Sequence, residues 1–316
     1  MRYVISENKL SGLMNEEGQI IVPPSYVYMG EYAEGRVAVT LGGKRESVGG
    51  RVTITLGSKL GFLDEDGNVA ISPAYDQTRP FSEGLAAVQT GKLWGMIDRD
   101  GREVVPPHYA DIREFSEGLA SATVGGKPER LVCLNTLGEI AFERPSVRTG
   151  PFCEGLAVSS LKNHWSYLDK TGATVIEVKA TAPGNFSDGR ALILKAGKSG
   201  FIDRRGEFVI APKMRDAGKF SEGTAPAAPE KLFGFINRDG EFTITPRFTE
   251  ALPFSEGLAA ASTEDGWGYI DTTGEFVIAP QFSLYAMPFR GKLAWVTTRG
   301  QEYLIDRTGT PVWENT

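Results

Sequence analysis

One thirteen-residue pattern recurs along this chain at a nearly constant interval, and it constrains the fold more than any other feature. The copies "GFIDRRGEFVIAP", "GFINRDGEFTITP" and "GYIDTTGEFVIAP" begin at Gly200, Gly234 and Gly268, so they are 34 residues apart. A second pattern, "FSEGLA" with its variants, keeps step with the first. Two markers in step predict tandem repeats, and they overrule the two globular domains that a length of 316 residues alone suggests.

Nine copies of the first pattern fill the chain, marked by the turn glycines Gly18, Gly67, Gly101, Gly138, Gly172, Gly206, Gly240, Gly274 and Gly309. We therefore predict one domain, a single repeat array over residues 1–316. Its repeats span about 1–35, 36–84, 85–118, 119–155, 156–189, 190–223, 224–257, 258–291 and 292–316, and the second carries an insertion at 40–57.

Each repeat reads as a small antiparallel sheet. In "GYIDTTGEFVIAP", Asp271 and Gly274 occupy the first and fourth positions of a type I turn that ends in a left-handed residue, a common hairpin geometry. The aspartate side chain can accept a backbone N–H two residues on. Pro280 is predicted to end the third strand, because proline has no N–H for a ladder. The segment that follows, "FSLYAMPF", is a candidate fourth strand.

Apolar residues occur on both faces of these strands, whereas a sheet with one face in water alternates apolar and polar residues. The repeats are therefore expected to stack face to face, each burying its neighbours' faces. Such a stack can close into a β-propeller or continue as an open superhelical solenoid. Nine blades would be unusual, and about 34 residues is short for four strands. We therefore expect an all-β fold of nine β-meander units in an open solenoid.

The motif order resembles a known family. "LWGMIDRDGREVVPPHYADIREFSEGLA" and "GWGYIDTTGEFVIAPQF" are similar to the WG-repeat proteins of bacteria, whose units carry Trp-Gly, Ile-Asp, a turn glycine, a proline and a closing Phe-x-Glu-Gly-Leu-Ala. The tryptophan is often replaced here, and the fourth and fifth repeats also lack the motif glycine. The resemblance implies a β-structured array with an interaction role and no reaction or cofactor.

Composition narrows the function classes. A net charge of −6 argues against nucleic acid or an anionic membrane as partner. No apolar run is long enough to cross a bilayer, and the first residues do not read as a signal peptide. The two cysteines, Cys133 and Cys153, have no metal-ligand spacing and indicate reduced thiols in the cytoplasm. The two histidines, His108 and His164, lie in no catalytic motif.

One acidic position recurs in the "FSEG" segments, at Glu83, Glu117, Glu154, Asp188, Glu222 and Glu256. We interpret these carboxylates as acceptors for turn N–H groups within their own repeats. A row of calcium ligands is the alternative. Because a structural residue is needed once in each repeat and a catalytic residue only once, functional sites are expected where the repetition fails.

Repetition fails in three places: the insertion, the fourth and fifth repeats, and the aromatic residues near the C-terminus, Tyr285, Trp295, Tyr303 and Trp313. The insertion should form an extended hairpin, and it is basic on an acidic protein, with Lys44, Arg45, Arg51 and Lys59. The fourth and fifth repeats diverge most and carry Arg130, His164 and Trp165. These seven residues are our predicted partner-binding residues.

The sequence favours a non-enzymatic protein-binding scaffold, such as a bacterial adaptor, regulator or immunity-type inhibitor. Binding of a small ligand or glycan by aromatic residues at one edge, among them Tyr285, Trp295, Tyr303 and Trp313, is the main alternative. A hydrolase is a third possibility, and it would need Cys153 beside His164.

Overall fold

The computed structural model describes residues 1–40, 45–48, 51–54, 59–126, 130–145, 148–162, 164–181 and 183–315. The chain divides into two compact units. The first is Met1–Phe152 with Lys170–Gly172, and the second is Cys153–Asp169 with Ala173–Thr316. Among the described residues, no helix has the length and hydropathy needed to cross a membrane.

In the first compact unit, four antiparallel sheets follow one another along the chain. The first contains β1 (Arg2–Glu7), β2 (Leu10–Asn15) and β3 (Ile20–Tyr26). The second contains β4 (Tyr28–Ala33), β5 (Arg36–Thr40), β8 (Leu60–Leu63) and β9 (Val69–Tyr75). The third contains β10 (Gln77–Thr78), β11 (Leu85–Thr90), β12 (Leu93–Asp98) and β13 (Glu103–Tyr109), and the fourth contains β14 (Asp111–Ile112), β15 (Leu119–Val124), β16 (Arg130–Asn135) and β17 (Ile140–Pro145).

Strand β18 (Arg148–Cys153) contains the boundary, and the second compact unit continues the pattern. The fifth sheet includes β19 (Leu156–Leu161), β20 (His164–Leu168) and β21 (Thr174–Val178). The sixth contains β22 (Phe186–Ser187), β23 (Arg190–Lys195), β24 (Lys198–Ile202) and β25 (Phe208–Met214). The seventh contains β26 (Asp216–Ala217), β27 (Ala225–Ala228), β28 (Phe233–Ile236) and β29 (Phe242–Phe248). The eighth contains β30 (Glu250–Ala251), β31 (Ala259–Thr263), β32 (Gly266–Ile270) and β33 (Phe276–Phe282), and the ninth contains β34 (Tyr285–Ala286), β35 (Ala294–Thr298), β36 (Gln301–Ile305) and β37 (Pro311–Glu314).

The expected open superhelical solenoid is wrong. The described part of the chain contains nine small antiparallel sheets with strands in chain order, and each of these sheets is a β-propeller blade. The length argument failed because the first strand of most sheets has only two residues, as in β26 and β30, so four strands fit into about 34 residues. The segment "FSLYAMPF" contributes β34, which pairs with β35 and so opens the ninth sheet rather than closing the eighth.

The insertion contains a short hairpin, as expected. Its strands β6 (Arg45–Val48) and β7 (Arg51–Ile54) pair antiparallel between β5 and β8. Lys44 lies outside the described residues.

Each pair of successive sheets within a compact unit shares one buried apolar cluster. Between the seventh and eighth sheets the cluster includes Phe235, Ile244, Phe254 and Ile270. In five repeats, the phenylalanine of the "FSEG" segment or its variant packs on an aromatic ring of the preceding sheet. Ring centroids lie 4.8–5.0 Å apart in Phe62–Phe81, Tyr167–Phe186, Phe201–Phe220, Phe235–Phe254 and Tyr269–Phe289. These tilted, edge-on contacts are favourable aromatic geometry, and they bury a face that one sheet alone would expose.

The motif glycine makes room for a bulge in the fourth strand. In the third sheet, Trp94 pairs with Tyr109. Met96, two residues further on, pairs with Val105, so three residues of β13 lie opposite Gly95. A Cβ atom on Gly95 would lie 2.4 Å from the Val105 carbonyl oxygen, a distance that no side chain tolerates. The bulge also breaks the regular edge of the sheet, a common protection against edge-to-edge pairing.

The same close approach, 2.3–2.7 Å, occurs at Gly12, Gly61, Gly200, Gly234 and Gly268. The fourth and fifth repeats carry Val132 and Ser166 at this position, and their strands pair there residue for residue. Glycine and bulge are therefore present or absent together. The bulge also corrects the prediction for Pro280, since β33 continues through this residue to Phe282.

We predict that Phe254→Ala lowers the free energy of unfolding by about 3–5 kcal/mol, because it removes a buried ring from the cluster between two sheets. Urea denaturation followed by circular dichroism measures the change. Val277→Ala is the control, since Val277 is 52% exposed and should change stability by less than about 0.5 kcal/mol. Equal effects of the two substitutions would contradict shared burial.

We predict that Gly268→Ala destabilises the protein by about 1–3 kcal/mol, because its Cβ would lie 2.5 Å from the Ile278 carbonyl oxygen. Ser166→Ala, at the equivalent position of a repeat without the bulge, should cost under about 1 kcal/mol. The same denaturation experiment compares them. A Gly268→Ala protein as stable as the wild type would refute the role assigned to the glycine.

Candidate functional site: a cleft at the loop end of the seventh and eighth sheets

Each sheet has two different ends. The "FSEG" turn and the aspartate turn lie at one end, which we call the turn end. The loop between the second and third strands and the step to the next sheet lie at the other, which we call the loop end. An antiparallel meander places alternate connections at opposite ends in this way.

The aspartate turns form as predicted. Gly101 N–H donates to the Asp98 carbonyl oxygen at 3.0 Å, and Gly101 has a φ of +80°. The Asp98 carboxylate accepts the N–H of Asp100, two residues on, at 2.9 Å. These repeated aspartates are therefore parts of the turns.

The "FSEG" carboxylates connect successive sheets, which corrects the prediction that each serves its own repeat. Glu83 accepts the N–H of Gly118 in the next sheet at 2.8 Å. The same contact, at 2.7–3.4 Å, joins Glu34 to Gly84, Glu154 to Gly189, Asp188 to Gly223, Glu222 to Gly257 and Glu256 to Gly291. Within the described ranges, no group of three or more His, Cys, Asp or Glu side chains is placed to hold a metal ion.

Glu34 shows how such a contact affects ionisation. Partial burial alone would raise the pKa of Glu34, but hydrogen bonds from Arg99 and from the amides of Gly84 and Glu83 outweigh it. The pKa of Glu34 therefore lies below its ordinary value. A carboxylate with a lowered pKa stabilises the folded state above its unfolded pKa, and this stabilisation is lost as the pH falls through the folded pKa.

We predict that Glu34→Gln lowers the free energy of unfolding by about 1 kcal/mol at pH 7, because the amide accepts these hydrogen bonds less strongly. The difference from the wild type should shrink as the pH falls below about 4. Urea denaturation from pH 3 to pH 7 measures it. Glu264→Gln, an exposed acid at the loop end, should show no such pH dependence. An unchanged difference at all pH values would contradict this assignment.

Three of the predicted partner-binding residues lie at the loop ends of their own sheets. Lys59 precedes β8 and pairs with Asp76 at 2.6 Å. Arg130 begins β16 and pairs with Glu143 at 2.8 Å. His164 is exposed at the start of β20.

The other predicted residues belong to the fifth sheet and to the insertion. Trp165 is half-buried against the cluster shared by the fifth and sixth sheets. Arg45 and Arg51 lie in β6 and β7, and Lys44 is outside the described residues. None of the predicted residues that the structure describes is in the lining of the cleft described below. Their role in binding stays a prediction.

Strand β19 separates Cys153 from His164. Cys153 lies just before β19, at the turn end of the sheet, and His164 lies just after β19, at the loop end. Six residues of strand separate these ends by roughly 17 Å, so the two side chains cannot form a catalytic pair.

Three other titratable groups are held protonated. Burial raises the pKa of the Cys133 thiol to about 12. Burial also raises the pKa of Tyr167 and of Tyr269, whose hydroxyls donate to backbone carbonyls at 2.7 and 2.8 Å. All three therefore pack as neutral core groups.

A cleft of about 510 Å³ opens at the loop end of the seventh and eighth sheets, within the second compact unit. Its floor is apolar, formed by the half-buried ring of Phe233 and the buried Ala228 and Ala251. Its rim is formed by exposed polar side chains, Arg215, Asp216, Glu230, Lys231, Thr249 and Glu250. An apolar floor with a charged rim suits an amphipathic side chain of a partner.

Much of the rim is free to bind. Within the part of the chain that the structure describes, Arg215, Glu230, Lys231 and Glu250 make no side-chain hydrogen bond and no ion pair. Thr249 bonds to Ser262, and the Asp216 carboxylate accepts the N–H of Ala217.

The cleft residues were missed because each is unremarkable within its own repeat. The only sign was Phe233, which replaces the motif tryptophan. The cleft is distinct only beside the equivalent positions of other repeats.

The fold is that of a repeat β-propeller, and the comparisons with known proteins agree. The model of the WG containing repeat matches residues 12–44, 61–94, 94–127, 200–227, 233–266 and 267–301. These segments make up more than half of the chain, which belongs to the WG-repeat family, as the sequence resemblance indicated. No curated protein matches the sequence significantly.

Solved structures support the fold. A crystal structure of a eukaryotic initiation factor has a TM-score of 0.65 at 10% identity, covering 99% of this chain and 95% of that chain. The dihydro-heme d1 dehydrogenase NirN in complex with DHE has a TM-score of 0.52 at 11% identity, covering 99% and 72%. Identities this low concern the fold alone, and the first match supports the propeller class.

Proposed function

We propose that this chain is a non-enzymatic protein-binding propeller whose partner binds at the loop end of the seventh and eighth sheets. The observation that supports this proposal is the cleft of about 510 Å³ with its apolar floor and free charged rim. Such a combination suits recognition, because the apolar floor supplies affinity and the charges select the partner.

The two ends of the sheets have different roles, and this difference also supports binding at the loop end. At the turn end, carboxylates and glycine amides hold neighbouring sheets together, as Glu222 and Gly257 do. At the loop end, sequence and length vary, and the insertion with β6 and β7 lies there in the second sheet. We propose that this basic hairpin and the irregular fourth and fifth repeats contribute further contacts to the partner.

The proposed setting is a bacterial cytoplasmic adaptor, regulator or immunity-type inhibitor, with the nine repeats acting as one domain. The net charge of −6 favours a protein partner over nucleic acid or a membrane. Neither Cys133 nor Cys153 forms a disulfide in the described part of the chain, which fits a reducing compartment.

Photocrosslinking tests the binding surface directly. A photoreactive phenylalanine analogue is placed at Leu232, an exposed residue beside the cleft, and at Glu46 in the inserted hairpin. The control position is Val277, which is exposed on the fourth strand of the eighth sheet. After irradiation in native lysate at physiological salt, we expect one protein to be crosslinked at 232 and not at 277, because only the first lies beside the cleft.

Mass spectrometry identifies the product, and purified partner is then tested against the wild type and a Glu230→Lys, Glu250→Lys double variant. We expect the double variant to weaken binding by at least roughly tenfold, because it reverses charge on the rim. Crosslinks that are as strong at 277 as at 232, or absent at both, would contradict the proposal. A partner crosslinked at 46 alone would contradict binding at the cleft and would indicate binding at the inserted hairpin.

A further inference from the structure

An arginine of the chain itself occupies one loop-end site in the first compact unit. Arg79, in the third sheet, places its guanidinium carbon 5.0 Å from the centre of the Trp94 ring. One guanidinium nitrogen donates to the Asp111 carboxylate of the fourth sheet at 2.8 Å. The site therefore combines an aromatic face with a carboxylate from the next sheet, and the chain supplies its own cation.

The hydrogen-bond ladders identify the equivalent residues in the seventh and eighth sheets. Arg79 N–H donates to the Ala87 carbonyl oxygen, and Gly218 N–H donates to the carbonyl oxygen of Pro226 at the same place. Arg79 and Gly218 are therefore equivalent positions.

Strand pairing and strand order identify the residues equivalent to Trp94 and Asp111. Trp94 pairs with Tyr109, as Phe233 pairs with Phe248. Asp111 begins the fourth sheet, and Glu250 begins the eighth. The cleft thus keeps the aromatic ring and the carboxylate, and a glycine replaces the arginine.

The glycine has no side chain that could reach the ring and the carboxylate as Arg79 does. A Cβ atom at Gly218 would lie 2.7 Å from the ring of Pro226, so no side chain fits at 218 without movement. The smaller ring of Phe233 adds to the space that the missing arginine leaves. The result is a cleft lined by the ring of Phe233 and the carboxylate of Glu250.

We propose that this cleft binds an arginine side chain of the protein partner, with its guanidinium stacked on Phe233 and paired with Glu250. The partner's arginine takes the place that Arg79 occupies in the other site. This inference rests on the proposed protein-binding function and names the chemistry that the cleft recognises.

The remaining charges of the rim are compatible with such a ligand. Asp216 and Glu230 add two carboxylates, and Arg215 and Lys231 add two cations. With Glu250 the rim carries one more negative than positive charge. The cations can pair with acidic residues that flank the partner's arginine, which would favour a mixed-charge peptide over a purely basic one.

The test titrates the full-length protein with N-acetyl-arginine amide and, separately, with the neutral isostere N-acetyl-citrulline amide, by saturation-transfer NMR. We expect arginine amide to bind at least roughly tenfold more tightly, because only the cation gains the ring and carboxylate contacts. Glu250→Gln should weaken arginine binding by roughly tenfold, and Phe233→Leu should weaken it as well. Glu264→Gln, an exposed acid outside the cleft, should leave it unchanged.

Arg79→Gly provides a positive control built into the chain. This substitution frees the Trp94 ring and Asp111 Oδ1, while Asp111 Oδ2 stays paired with Arg113 at 3.1 Å. The variant should therefore bind arginine amide at two places instead of one. Circular dichroism checks that each variant is folded. Equal binding of arginine and citrulline amides, or no binding of arginine amide by the wild type, would overturn the inference.

These outcomes separate the two proposals. A partner crosslinked at 232 together with no arginine binding would leave the protein-binding function standing and refute the arginine site. Arginine binding that Glu250→Gln weakens, together with no crosslinked partner, would support the site's chemistry and refute the proposed function.

Discussion

The structure depends on mutual burial of sheet faces. In the described part of the chain, each successive pair of sheets within a compact unit shares one buried apolar cluster. The aromatic pairs at 4.8–5.0 Å repeat this contact at nearly constant geometry, as in Phe201–Phe220 and Phe235–Phe254. Because a repeat buries its apolar surface only against a neighbour, the residues that recur in every repeat are committed to architecture. Function is left to positions where the repeats differ.

The turn end shows how thoroughly recurring polar residues are used. The acidic residue of the "FSEG" segment has a positive φ, and its carboxylate accepts a hydrogen bond from a backbone N–H of the following sheet, as Glu222 does from Gly257. The serine of the same segment donates to a carbonyl of the next sheet, as Ser255 does to Phe289 at 2.8 Å. These contacts satisfy turn groups that would otherwise remain unpaired, and they fix the spacing between sheets. A carboxylate engaged in this way has a structural task.

The sequence predicted what is local and missed what depends on distant pairing. The repeat interval, the hairpin with its Asp271–Gly274 turn and the family were confirmed. The open solenoid was wrong because a strand of two residues, such as β34, leaves no periodicity to read. Nor could local rules show that β33 bulges through Pro280 instead of stopping there. The cleft escaped notice because its lining comes from two sheets, and because Phe233 is informative only beside Trp94, its counterpart in another repeat.

Propeller blades with structural turn ends and varied loop ends are consistent with a protein that binds another protein. Native-state hydrogen exchange of Phe220→Ala tests the central claim of mutual burial most directly, because Phe220 packs on Phe201 of the preceding sheet. The account predicts that protection falls in the amides of both the sixth and the seventh sheets, with little change in the ninth. Loss of protection confined to the seventh sheet would show that each sheet is stable by itself, and would contradict the account.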